Sequence, residues 1–154
     1  MPGGALLRAA ALAAAALAPA PQALAHEALH TLVPLIEVYS ATQPSPEFDV
    51  AGVRCAALYM AQQDWAKSRP GTPRPSKAQL RDIEANLTAA EQTRRNAGLS
   101  LVAAQESIKA DVLRVFALYK AHFDRTRHDN KSPWTGDPLL RGDMRYCDLL
   151  GGRR

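Results

Sequence analysis

The sequence predicts an all-α fold, a small bundle of four to five helices, on three observations. Apolar residues recur three and four positions apart along most of the chain instead of alternating, which is the period of a helix with one buried face. Prolines and glycines gather in a few short stretches and leave long uninterrupted segments between them. Two cysteines stand 92 positions apart, each inside a helix-like segment, "RCAALYM" and "MRYCDLL".

The elements follow in order. "HEALHTLVPLIEVYSAT" brings Leu29, Leu32, Val33, Leu35 and Ile36 close together around Pro34, which either kinks a helix or marks its first turn. "QPSPE" ends that element, since two prolines in three residues cannot continue a helix. A second helix is expected from Phe48 to Lys67, with Val53, Ala57, Met60 and Ala61 near i, i+4 spacing and Cys55 and Leu58 widening the apolar face. "SRPGTPRPS", over 68–76, holds three prolines and a glycine and reads as a solvated linker.

Ser76 with Gln79 three positions on forms a capping-box pattern and opens a third helix. Leu80, Ile83, Leu87, Ala90 and Ala97 trace one face of it. Gly98 is a C-terminal stop and Ser100 a restart. The fourth helix should bury Leu101, Ala104, Ile108, Val112 and Val115, then Leu118 or Tyr119 and His122 or Phe123, ending near Thr126. "HDNKSPWTG" is a loop. Asp137-Pro138 supplies an N-cap with proline at the first helical position, opening a last helix that ends at Gly151 and carries Leu140, Met144, Cys147 and Leu150 on one face.

Residues 1–25 read as a signal peptide. Arg8 is their only charge, Ala9 to Ala18 form a short apolar core, and Ala23-Leu24-Ala25 is a small-x-small cleavage pattern. That core falls short of the roughly 20 residues a bilayer requires, so no membrane-spanning segment is expected after cleavage. One helical domain, 26–154, would remain. Removing Arg8 from the 19 basic residues leaves 18 against 15 acids, a net charge of +3. This mild excess permits an anionic partner without requiring one. The absence of aromatic-basic interleaving in an exported chain argues against nucleic acid. Export to the periplasm or beyond places Cys55 and Cys147 in an oxidising compartment, where a bridge is expected; two separately buried thiols are the alternative.

No Ser-His-Asp arrangement, glycine-rich phosphate loop, metalloprotease motif or C-x-x-C-H haem signature occurs. Catalytic residues are therefore not assigned. If processing follows Ala25, His26 becomes the N-terminus and offers its α-amine and ring to copper or zinc, with His30 as a further ligand; a frayed terminus is the plain alternative. His122 and His128 lie at the end of the fourth helix near Asp124 and Asp129 and suit the negative end of its dipole. Lys67, Arg69, Arg74, Lys77 and Arg81 form a basic cluster for an anionic envelope component or an acidic partner, or simply a soluble linker. Trp134 is a candidate interface residue or a lid on the core. Arg141-Gly142-Asp143 spells an adhesion tripeptide, but a helix would not present it. Asn86-Leu87-Thr88 matches a glycosylation acceptor, also inside a helix.

In layout, with an export signal, an early "CAAL" helix and a second cysteine near the C-terminus, the chain resembles short exported helical proteins of bacteria. The resemblance implies a helical fold and an exported location, and no activity. The expectation is a non-enzymatic binding or structural protein of the cell envelope, with copper or zinc binding at His26 as the alternative.

Overall fold

The computed structural model describes residues 26–41, 48–126 and 136–153 of the chain. The expected signal segment 1–25, the "QPSPE" break, His128, Asp129 and Trp134 lie outside these residues. Five helices are described: α1 (Leu35–Ala41), α2 (Phe48–Ser68), α3 (Lys77–Asn96), α4 (Leu101–Thr126) and α5 (Pro138–Leu150). No strand occurs among the described residues, and no described helix is long and apolar enough to cross a membrane.

Each helix starts where local chemistry dictates. Ser76 Oγ accepts from Gln79 N at 3.2 Å and Gln79 Oε1 accepts from Ser76 N at 2.9 Å, so the capping box at α3 is complete. Gly98, at φ 101°, closes α3 in a backbone conformation that costs other residues energy. Ser100 Oγ then accepts from Ala103 N at 3.2 Å as α4 begins. Asp137 caps α5 through Leu140 N at 2.9 Å, with Pro138 at the first position.

Pro34 marks a first turn, not a kink. Its carbonyl accepts from Glu37 N and Val38 N, and α1 begins at the next residue. This restart resets the helical register. Leu35, Val38 and Tyr39 face the core, whereas Ile36, expected beside them, is 58% exposed.

The second helix also departs from expectation. Instead of one apolar face, α2 is buried all round from Val50 to Tyr59, including Ala51, Arg54 and Ala56. It is the central rod, and α3, α4, α5 and the segment preceding α1 surround it. Gly52 permits the α2–α3 approach: a Cβ there would lie 2.9 Å from the Asn86 carbonyl oxygen. On α4, Tyr119 and Phe123 take the inward positions that the sequence left open, and Phe123 meets Trp65 of α2 edge-on at 5.3 Å. Leu101 and Ala97, expected inward, are exposed because they flank the α3–α4 turn beyond the reach of α2.

Cys55 and Cys147 form a disulfide with Cα atoms 5.4 Å apart, both buried, tying α5 to the middle of α2. Tyr39 and Tyr146 stack at 5.1 Å between α1 and α5. Ser68 is the last residue of α2; the rest of the expected linker, 69–76, is neither helix nor strand but is fastened to the domain. Pro75 is buried, and Gln62 Nε2 donates to the Pro73 carbonyl at 3.1 Å.

Candidate functional site

Among the polar assemblies that fix the helices around α2, two centre on buried arginines. The deeper one centres on Arg54, whose side chain is wholly buried. Its Nε donates to Tyr119 Oη at 3.1 Å, and Nη1 donates to the carbonyls of Ala28 (3.1 Å) and Val33 (3.0 Å). Nη2 forms an ion pair with Asp143 Oδ2. Asp143 also accepts from Tyr119 Oη at 2.6 Å and from Leu35 N at 2.8 Å. The last contact satisfies an N–H that the first turn of α1 leaves without a helical partner. Burial opposes the Arg54 charge, but Tyr119 and Asp143 outweigh it and hold the guanidinium pKa above its usual value. Burial, with Asp143 beside it, pushes the Tyr119 hydroxyl up despite the opposing Arg54 charge. Arg54, Tyr119 and Asp143 have no solvent exposure. They join four parts of the chain as a structural weld, with no opening for a substrate.

The second assembly is nearer the surface. Arg94 of α3 reaches Asp49 of α2 at 3.0 Å, and Ser107 and Asp111 of α4 at 2.8 and 2.7 Å. Burial raises the Asp49 pKa, with the Arg94 charge opposing. Arg94 thus clamps α3 and α4 onto the start of α2. Further along the hairpin the two helices leave a gap.

That gap is a groove of about 710 Å³ between α3 and α4 with Met60 of α2 in its lining. Leu80, Ile83 and Leu87 line one wall, and Ile108, Val112 and Leu113 the other. Ile108 and Val112 are almost fully buried, whereas Leu80 and Leu113 are 37% and 55% exposed. The rims differ in charge. Glu84 and Glu91 stand on the α3 side and Lys109 on the α4 side, with Gln105 Nε2 donating across the top to Glu91 Oε2 at 3.0 Å. An open trough with apolar walls and polar rims suits an apolar-faced ligand. It offers no nucleophile paired with a base.

The residues singled out in the sequence are distributed elsewhere. His26 and His30 come together with ring centroids 4.7 Å apart. Among the described residues no group of three or more His, Cys, Asp or Glu side chains is placed to hold a metal, so the structure supplies two imidazoles and no third side-chain ligand. His122 pairs with the α5 cap Asp137 at 2.8 Å, a partner fifteen residues away in place of its sequence neighbour Asp124. In the basic cluster, Lys67, Arg74, Lys77 and Arg81 are exposed, while the Arg69 guanidinium lies over the Trp65 ring at 5.0 Å. The cluster and the groove share the α3 helix. Asp143 of the Arg-Gly-Asp tripeptide is buried in α5, and Asn86 is half-buried against Gly52.

Sequence reasoning missed the groove and the Arg54 weld. Arg54 carried a signal, since a lone charge inside "VAGVRCAALY" must find a buried partner. Nothing local pointed to Asp143, 89 residues away. No family model, curated protein or solved structure matches this chain.

Proposed function

We propose that this is an exported, non-enzymatic helical binding or structural protein of the cell envelope, whose α3–α4 groove receives the apolar face of a protein partner. The groove carries this reading. It leaves Leu80 and Leu113 open to water beside the almost fully buried Ile108 and Val112, and exposed apolar troughs of this kind mark interaction sites. The disulfide supports export, because such bridges persist in oxidising compartments. The exposed cations Lys67, Arg74, Lys77 and Arg81, beside Arg69, give the same domain a surface for an anionic envelope component.

The test is titration of the oxidised protein with an environment-sensitive apolar dye such as anilinonaphthalene sulfonate. Saturable binding that falls at least about tenfold in Leu113→Glu, a substitution at the exposed lip, is expected. No saturable binding, or binding unchanged by that substitution, would refute the groove as a docking site.

A second reading, copper or zinc binding at the mature N-terminus, is favoured by the juxtaposed His26 and His30 rings. Native mass spectrometry of the exported protein, purified without chelators, tests it. A mass beginning at His26 with a metal increment that His26→Ala abolishes is expected. A mature protein that takes up neither metal on addition would exclude it.

A further inference from the structure

Resting on the reading of the α3–α4 groove as a docking face, we infer that its occupant is a second copy of this chain, bound about a two-fold axis parallel to the hairpin. The register of the two helices is the starting point. The Gln105–Glu91 hydrogen bond aligns α4 with α3 across the groove. At about 1.5 Å rise per residue, Lys109 then stands level with Leu87, about 4.5 Å along the axis from Glu84 and about 6 Å from Glu91. Leu113 stands level with Ile83.

A two-fold axis along the groove preserves these levels while exchanging the walls. The α4 helix of the second copy lies over α3 of the first, and the reverse holds by symmetry. Lys109 of the second copy therefore sits between Glu84 and Glu91, well within the reach of its flexible side chain. The protruding Leu113 of the second copy falls over Ile83, where the trough needs filling. Every such contact occurs twice. A rotation placing α3 on α3 would instead set the acidic rims against each other. The same axis brings both basic 67–81 segments to one end of the dimer, so that a pair of cationic patches faces one direction. A face of two helices over this length belongs at the low end of specific interfaces, on the order of 1,200 Å² in total, and the dimer is expected to dissociate in the micromolar range.

Sedimentation equilibrium of the oxidised protein over a wide concentration series tests this. Wild type should pass from monomer to dimer. Lys109→Glu, an exposed position, should weaken association by about tenfold or more, since it places like charges together at two symmetric points. Glu84→Lys should weaken it as well, and the double variant should recover much of the loss by exchanging the pair. Circular dichroism confirms that each variant is folded. A protein that stays monomeric at every concentration while still binding the dye saturably overturns the second copy as occupant and leaves the groove as a site for another partner. A monomer without dye binding removes both readings. A dimer indifferent to Lys109→Glu and Glu84→Lys places the contact elsewhere and overturns the inference too.

Discussion

Replacing Asp143 with alanine isolates the buried weld. The carboxylate accepts from Arg54 Nη2, from Tyr119 Oη at 2.6 Å and from Leu35 N at 2.8 Å, with no solvent near any of them. Asp143→Ala leaves a guanidinium charge without its counter-ion inside the core and frees the first N–H of α1. Removing one partner of a fully buried pair typically costs about 3–5 kcal/mol. A domain of this size has about 5–15 kcal/mol of stability in all, so the variant should be close to unfolding. In urea, with a slope of roughly 1.5 kcal/mol per molar, the midpoint should fall by roughly 2–3 M at unchanged slope. Arg54→Met should cost a similar amount. The double variant should cost clearly less than the two singles added, because the second change removes the charge stranded by the first. It will not return to wild type: the Ala28 and Val33 carbonyls and Leu35 N still lose their partner. A loss below about 1 kcal/mol for Asp143→Ala, or strictly additive singles, would refute the account of Arg54 and Asp143 as a desolvated pair.

Three further outcomes follow from other parts of the domain. Reducing the Cys55–Cys147 bridge reopens a loop of 92 residues, and in the chain-entropy model this removes about 4–5 kcal/mol; paired urea curves with and without reductant measure it. Gly52→Ala should destabilise by about 1–3 kcal/mol, since its Cβ would meet the Asn86 carbonyl oxygen at 2.9 Å; a thermal melt with no fall in midpoint would count against the close α2–α3 approach. Burial raises the hydroxyl pKa values of Tyr59, Tyr119 and Tyr146. The unfolded chain releases these protons near pH 10 while the folded one keeps them. Their stabilising contribution is therefore full below about pH 10 and declines as pH rises, by about 1.4 kcal/mol per pH unit for the fully buried Tyr119 alone. Spectrophotometric titration should show tyrosinate appearing later in the native than in the urea-unfolded protein, and coincident curves would contradict the burial.

The sequence by itself determined the helices and their ends. Ser76 with Gln79, Gly98 with Ser100 and Asp137 with Pro138 act within one turn of the chain, so their effect is written in neighbouring residues. The inward stripe of α4 was legible for the same reason, because a helix displays its period in any window of a dozen residues. The cysteine pairing was legible because only two cysteines were available. Tertiary structure decided the rest. That α2 is enclosed on every side, that Arg54 meets Asp143, and that Ile36 turns outward once Pro34 resets the register all depend on how helices are stacked, which no local spacing encodes. The groove belongs with these. Leu80, Ile83 and Leu87 have the spacing of core residues, and only the separation of α3 from α4 beyond the Arg94 clamp leaves Leu80 open to water and the other two half-buried along the groove. Hydrophobic periodicity says which face of a helix seeks cover; the neighbouring helices determine whether the domain itself provides it.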